Sequence, residues 1–571
     1  RRATALRRMK DAGFITEAER RAAEAEPLPS APSLAESIVG PYFCEEIRQY
    51  LEKTYGEKDL YARGLRVEST LDPEMQRWSE EELGFGLRRI ARRHGFQKPR
   101  NLSEQGYRSL ESYVDPSWAN APIEQGAVFR AVVMKTEAAG ADVRIGKTTM
   151  LLPNAGVSWT GATAASKILK TGDLVLVSVA RNEKKKDELT LELEQDPREQ
   201  GAVLIIENAS GAVRAMVGGS DWTQTKFNRA TQAIRQAGSA FKPFVYLTAL
   251  EQGYTGADTV FDGPLSIVID PRQPPYRPSN YDSKFHGIVT FRKALEHSYN
   301  IPAIRVAQMV GLRHVIETAH RLGVREKLDA YPSLALGAFE VSLWELTSAY
   351  TVFANQGLAF PPYTIERITD SNGDVLEQSH PDPREVESPQ ASFQLLQILR
   401  GVTQRGTAGP AVARAGLKLN IAGKTGTTND FTDAWFIGMT PRYTVGVWVG
   451  NDQKTISIGK GAEGAKIALP IWIRIIEKMR DNGRIDPQED FEVPPNIVLT
   501  PVDYETGLKA TPDSPLPILE AFVSGSQPTE EWSSRSGEIS RLPWSMQQPF
   551  YLPKKGELPE NAEIPPEPAA H

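Results

Sequence analysis

The sequence predicts a mixed α/β, multidomain chain. An antiparallel sheet flanked by helices is preceded by an OB-like β-barrel and by a short helical N-terminal segment. Three observations carry this. A chain of 571 residues, 40% apolar and 24% charged, has the length for two to four domains and the composition of ordinary globular material. Between 127 and 194, alternating apolar and polar residues fall into five short runs separated by turns, which is the pattern of a small barrel. Beyond residue 200 the order is strands, helices, then strands again, as in an antiparallel sheet covered by helices.

Taken in order, residues 1–25 read as two helices, with Gly13 ending the first and Thr16 with Glu19 forming a capping box for the second. Basic and acidic residues interleave here, which favours a solvated helix pair over a membrane-surface helix. Pro27 to Pro32 is a linker. A helix is predicted over 41–55 and a strand over 65–70. Asp72-Pro73 then supplies an N-cap and a first-turn proline to a helix carrying Met75, Trp78 and Leu83. The barrel strands are predicted at 128–134, 141–145, 148–152, 174–179 and 188–193. A hairpin follows at 202–206 and 212–217, turned by Asn208 to Gly211. Ser342 and Glu345 cap a helix running to Gly357, and strands return at 434–438 and 443–449. The run 467–476, interrupted by Pro470 and Arg474, reads as an amphipathic core helix. Past Arg484 prolines and acids accumulate, and 553–571 reads as disordered. The resulting boundaries are 1–30 helical segment, 31–112 linker region, 113–196 barrel, 197–483 sheet-and-helix domain, and 484–571 a partly disordered C-terminal extension.

Charge and composition exclude several functions. A net charge of −6 gives no argument for nucleic acid. The barrel run 127–194 holds ten basic and eight acidic residues, without a basic stripe interleaved with aromatics. A structural or protein-binding barrel is therefore expected. The single cysteine, Cys44, permits no intrachain disulfide and reads as a packed helix residue. There is no His-Glu-x-x-His and no cysteine pair, so no metal or cofactor is called for. No run approaches the ~20 apolar residues of a membrane helix, and no signal peptide stands at the start.

The chemistry sits in three motifs. Gly238-Ser239-Ala240-Phe241-Lys242 reads as a turn delivering a serine to a helix start, with Ser239 and Lys242 on one face. A serine hydroxyl needs a base to become a nucleophile, and lysine is one. The helix N-terminus supplies unpaired N–H groups and a positive dipole end for a developing oxyanion. Ser298-Tyr299-Asn300 ends the helical pattern that begins near Thr290. Lys424-Thr425-Gly426-Thr427-Thr428 precedes the strand at 434–438. Each motif alone is weak, and the chain has decoys: Ser457-Ile458-Gly459-Lys460 and Lys170-Thr171-Gly172. Only Ser239/Lys242, Ser298/Asn300 and Lys424/Thr425/Gly426 keep the order of the penicillin-recognising serine enzymes.

With these motifs, and with Phe227-Asn228-Arg229-Ala230 and Ala434-Trp435-Phe436, the chain resembles the class A penicillin-binding proteins, which polymerise and crosslink peptidoglycan. The resemblance runs from the first residue to about Pro512. It implies a penicillin-binding transpeptidase domain at 197–483. It also implies that 1–30 is the end of a glycosyltransferase domain whose catalytic glutamates lie upstream, together with an export signal and membrane anchor. The chain then belongs at the periplasmic face of the bacterial inner membrane, and an envelope protein is a candidate partner of the barrel.

The implied activity is DD-transpeptidation through a serine acyl-enzyme, inhibited by β-lactams, with glycan polymerisation expected only of a longer parent. Ser239 attacks the D-Ala-D-Ala carbonyl and Lys242 is the base. Ser298 relays a proton and Asn300 orients Lys242 and the substrate amide. Lys424 supplies positive potential, and Thr425 and Thr427 offer hydroxyls to the terminal carboxylate. Gly426 lets the strand lie close to the substrate. The backbone N–H groups of Ser239 and Thr427 form the oxyanion hole. The rivals are a β-lactamase-like or DD-carboxypeptidase hydrolase, a non-catalytic penicillin sensor, and a Ser-His-Asp hydrolase using His297. Against the last, no Gly-x-Ser-x-Gly elbow is present. Tyr299, in place of the aspartate of Ser-Asp-Asn enzymes, leans against a β-lactamase.

Overall fold

The structure, a computed structural model, describes residues 2–25, 38–118, 122–181 and 188–551. The two N-terminal helices belong to a unit of their own. Arg2–Asp11 closes at Gly13, whose φ is 78°. Glu17–Ala25 is opened by the predicted box, the Glu19 carboxylate accepting from the Thr16 amide at 2.7 Å. The Pro27 to Pro32 linker and the segment 553–571 lie outside the described residues.

In the second unit, Asp72 caps Pro73–Arg93, its Oδ1 accepting from the Glu74 and Met75 amides at 3.0 and 3.1 Å. That helix buries Met75, Trp78 and Leu83. The helix ahead of it runs on to Ala62, past a non-helical Gly56, rather than ending at 55. The barrel forms from Val128–Thr136, Gly140–Ile145, Thr148–Pro153, Asp173–Arg181 and Leu189–Glu194, all antiparallel. Inward residues such as Phe129, Val143, Val177 and Leu191 make its core, as period-two alternation requires. A short strand the sequence does not announce, Arg100–Asn101, joins Asp173–Arg181, so the barrel sheet takes in residues ahead of 113. Arg92 reaches Glu194 at 2.9 Å and ties the barrel to the Pro73–Arg93 helix.

The sheet that carries the candidate site has five antiparallel strands in the spatial order Ala422–Thr427, Asp433–Met439, Tyr443–Gly450, Gln200–Glu207, Val213–Val217. Leu343–Ala354, opened by the Ser342/Glu345 box and ending three residues before the predicted Gly357, packs on it. Ala468–Asp481 and Pro73–Arg93 pack on it too, Trp472 meeting Phe436 edge-on at 5.1 Å. Ala422–Thr427 has no alternation of its own, and only the family resemblance, through the role given to Gly426, implied a strand there. It holds two glycines and a lysine in six residues, so its β signal is weak, yet it pairs along its whole length with Asp433–Met439.

In the C-terminal extension, where no element was predicted, the described residues fold a hairpin, Ile497–Asp503 with Pro517–Val523, and a helix, Ser534–Arg541. Glu520 of the hairpin is forked by Arg292, with Nη2 to Oε1 at 2.6 Å, and Arg292 also bonds Glu296 at 3.0 Å. Tyr504 donates its hydroxyl to Glu296 at 2.9 Å, and Arg405 reaches the same carboxylate at 2.7 Å. The helix gripped in this way, Phe291–Glu296, is the one that leads into Ser298.

Candidate active site

Ser239 lies in a 3-10 turn, Gly238–Phe241, and Lys242 is the first residue of the α-helix Lys242–Glu251. Gly238 has a φ of 53°, and a Cβ there would stand 2.6 Å from Thr427 O. Both backbone conformation and space therefore require glycine. A Cβ on Gly426 would meet Ala237 O at 2.9 Å and the Ala240 Cβ at 3.0 Å. This gives Gly426 a second role beside the one expected of it. Its missing side chain makes room for the Ser239 turn, which lets the strand end at Thr427 press against that turn. Trp435 Nε1 donates to Gln236 O at 2.9 Å and Tyr350 Oη to Ala240 O at 2.5 Å, fixing the turn from both sides. Gly426→Val is expected to force turn and strand apart and to cut penicillin acylation by about 10²-fold, the scale of a 1 Å misplacement. Stopped-flow acylation at matched stability measures it, and an unchanged rate would show that the contact is not needed.

Lys242 and Lys424 are both fully buried. Lys242 Nζ lies 2.5 Å from Ser298 O, 2.7 Å from Asn300 Oδ1, 3.2 Å from Tyr299 O and 3.3 Å from Ser298 Oγ. All these partners are on one segment, and Ser239 Oγ is not among them. Lys424 Nζ donates to Ser298 Oγ at 2.9 Å and to Thr425 O at 3.1 Å. One hydroxyl therefore stands between two lysine nitrogens. Burial, and then the nearby Lys424 charge, hold Lys242 well below the ordinary lysine range. Burial brings Lys424 down to about 7.

Ser298 owes its placement to a helix end. Its φ is 59°, the left-handed region, and its N–H donates to Leu295 O at 3.1 Å while that of Tyr299 donates to Ala294 O at 2.9 Å. These two bonds are the Schellman termination of Phe291–Glu296, with serine where glycine is usual. The strain of a non-glycine residue there persists only because the surroundings enforce it. Asn300 then opens the helix Asn300–Val310, and its Nδ2 donates to Ser279 O at 2.9 Å, leaving Oδ1 for Lys242.

Across the cleft, Thr425 Oγ1 pairs with Thr407 Oγ1 at 2.8 Å, and Thr427 Oγ1 accepts the Gly464 N–H at 2.9 Å. Because Thr427 accepts there, its own hydrogen is free to donate. Thr407 was not singled out from sequence, and neither was Asn280, whose Oδ1 accepts the Asn300 amide at 2.8 Å. No local signal could have found them, since each acts across a loop. The decoys are elsewhere. Ser457 Oγ is exposed and donates to Asp430 O at 2.7 Å, outside any helix, and Lys170 pairs with Glu104 in the barrel region. His297 is turned to Tyr504 Oη at 3.2 Å, not to a serine, which removes the basis of a Ser-His-Asp reading.

Fold and site define a penicillin-binding transpeptidase. The family model for the penicillin binding protein transpeptidase domain matches residues 201–477, and that for the S1 RNA binding domain, an OB-fold, matches 123–194. The relatives are more specific. The chain is 34% identical over 531 residues to penicillin-binding protein 1A of Aquifex aeolicus, spanning 92% of this chain and 68% of the relative. It is 33% identical to that of Rickettsia bellii over 554 residues, spanning 91% and 67%. The crystal structure of penicillin-binding protein 1A from Haemophilus influenzae superposes with a TM-score of 0.77 at 28% identity, over 93% of this chain and 82% of that one. The penicillin-binding protein PonA1 from Mycobacterium tuberculosis shares the fold at a TM-score of 0.52 and 20% identity, over 79% and 96%. The chain belongs to the penicillin-binding protein 1A family.

Among the described residues no helix is long and apolar enough to cross a membrane.

Proposed function

We propose that this chain is a DD-transpeptidase that crosslinks peptidoglycan stem peptides through an acyl-enzyme on Ser239. The observation that supports it best is the pair of buried lysines meeting on the Ser298 hydroxyl, beside the turn that carries Ser239. In this reading neutral Lys242 takes the Ser239 proton as Oγ bonds to the penultimate D-alanine carbonyl carbon. The oxyanion is received by the N–H groups of Ser239 and Thr427. The proton passes from Lys242 through Ser298 to the nitrogen of the terminal D-alanine as the amide bond breaks and that residue leaves. A stem-peptide amine then attacks the ester, gives up its proton by the same route, and restores Ser239. Lys424 with Thr425 and Thr427 holds the terminal carboxylate, and Asn300 orients Lys242.

A β-lactam acylates the same serine but keeps its amine tethered, so the ester persists. PonA1 has been solved in complex with penicillin V, which is consistent with this chemistry in the fold. The activity belongs at the periplasmic face of the inner membrane, where stem peptides are. For the barrel we favour a structural or protein-binding role over RNA. Its partly buried tryptophans already carry arginines on their rings, Arg144 lying 4.8 Å from the Trp118 centroid and Arg92 5.3 Å from that of Trp159, while both pack against the barrel core, so neither offers a free stacking face.

Incubation with penicillin followed by peptide mass spectrometry is expected to place one adduct on the peptide containing Ser239 and none on that containing Ser457. Ser239→Ala abolishes it and Ser457→Ala leaves it intact. A label elsewhere, or none on folded protein, would overturn the reading. With a D-Ala-D-Ala donor and an amine acceptor, joined product marks a transpeptidase and hydrolysed product marks a carboxypeptidase. Absence of D-alanine release marks a sensor.

A further inference from the structure

A buried carboxylate stands behind the site with no part in the mechanism above. Asp262, at the end of the strand Thr259–Asp262, is fully buried. Its Oδ1 and Oδ2 accept from Asn280 Nδ2 at 2.9 and 2.8 Å, and Oδ2 also accepts from the His286 amide at 3.1 Å and lies 2.6 Å from His286 Nδ1. Asn280, 2% exposed, is thereby fixed in one amide orientation, because only its NH₂ end can face a carboxylate. A third bond, Nδ2 to Lys284 O at 2.8 Å, agrees with that orientation. Its oxygen then points the other way and accepts from the Asn300 amide at 2.8 Å and the Ile301 amide at 3.3 Å.

Those are the first two orphan N–H groups of Asn300–Val310, a helix whose own N-cap residue, Tyr299, provides no side-chain cap. Asn280 therefore caps the helix from a loop twenty positions earlier in the chain. The first residue of that helix, Asn300, presents Oδ1 to Lys242 Nζ at 2.7 Å. His286 stacks on Tyr299 with ring centroids 4.0 Å apart, so the residue between Ser298 and Asn300 is held by the same cluster.

We propose that Asp262 and Asn280 are positioning residues of the transpeptidase: Asp262 orients Asn280, Asn280 caps and places Asn300, and Asn300 holds Lys242. The inference rests on Lys242 being the base. Asp262 acts on Lys242 by charge as well as by placement, since its negative charge favours the protonated lysine and opposes Lys424 and burial. The titratable and charged groups around this cluster are Lys242, Lys424, His286, Asp282 on His286 Nε2 at 3.1 Å, Tyr246, Tyr299, His297 stacked on Tyr299, Glu505 and Lys284.

The test is the pH profile of penicillin acylation of the whole chain, with binding and acylation steps separated. In the parent, acylation falls on the acid side as Lys242 gains a proton, and Lys242→Ala abolishes that limb. Asp262→Asn preserves shape and removes charge, so Lys242 gives up its proton more readily and the acid limb moves to lower pH, by on the order of one unit. Asn280→Ala leaves Asp262 charged but uncaps Asn300, and is expected to slow the acylation step by roughly ten- to a hundredfold with penicillin binding little changed. An acid limb that does not move in Asp262→Asn, with the rate lowered evenly at all pH, would reduce the cluster to a structural anchor and overturn the proposal. Should Asp262→Asn fail to fold, the Asn280→Ala split decides: equal losses in binding and acylation overturn it. A parent profile whose acid limb survives Lys242→Ala would instead overturn the reading of Lys242 as base.

Discussion

Replacing Lys242 with alanine is expected to slow acylation of Ser239 by penicillin by ~10²–10⁴-fold, the usual cost of removing a general base. The argument is electrostatic. A lysine nitrogen is useful as a base only when neutral, and two features combine to keep it so: complete burial and the charge of Lys424. Its partners, Ser298 and Asn300, accept hydrogen bonds from it without adding a negative charge. Alanine removes the acceptor for the Ser239 proton while leaving the turn, held by Trp435 and Tyr350, in place. Stopped-flow acylation with stability matched by denaturant titration measures the effect. Rates within about threefold of the parent would rule Lys242 out as base.

Arg292→Met is expected to cost ~3–5 kcal/mol of stability, because it leaves the buried Glu520 carboxylate without its cation. Arg292 is 3% exposed and Glu520 1%, so water cannot replace the lost guanidinium. Glu296 keeps Arg405 and Tyr504, whereas Glu520 loses both of its bonds to the arginine. The cost therefore falls on the grip of the C-terminal hairpin upon Phe291–Glu296. Urea unfolding measures it, and the double change Arg292→Met with Glu520→Leu should recover much of the loss, since a buried pair replaced as a unit by apolar groups is tolerated. A single-variant loss under about 1 kcal/mol would mean that the pair is not desolvated as its burial implies.

The sequence by itself determined whatever depends on near neighbours. Helix starts at Thr16, Asp72 and Ser342 were legible because a cap and the amides it serves lie within three residues of each other. The barrel strands were legible because alternation is a property of successive residues. The three motifs were legible through their order, which set Ser239 apart from Ser457 before either could be seen. Only the tertiary structure decided what depends on distant residues. The glycines and lysine of Ala422–Thr427 hid from periodicity a strand that only the family resemblance implied and that pairing with Asp433–Met439 enforces. Gly426 turned out to face the Ser239 turn, and Ser298 turned out to hold a left-handed helix end. The C-terminal hairpin proved to be anchored by charges more than two hundred residues apart. A lowered proton affinity of Lys242, with Lys424 as the neighbouring cation, was expected from the motifs, whereas that of Lys424 was not, because desolvation is set by everything packed around a nitrogen. Spacing in the sequence names such residues, but their charge state is fixed by burial, which exists only once the chain has folded.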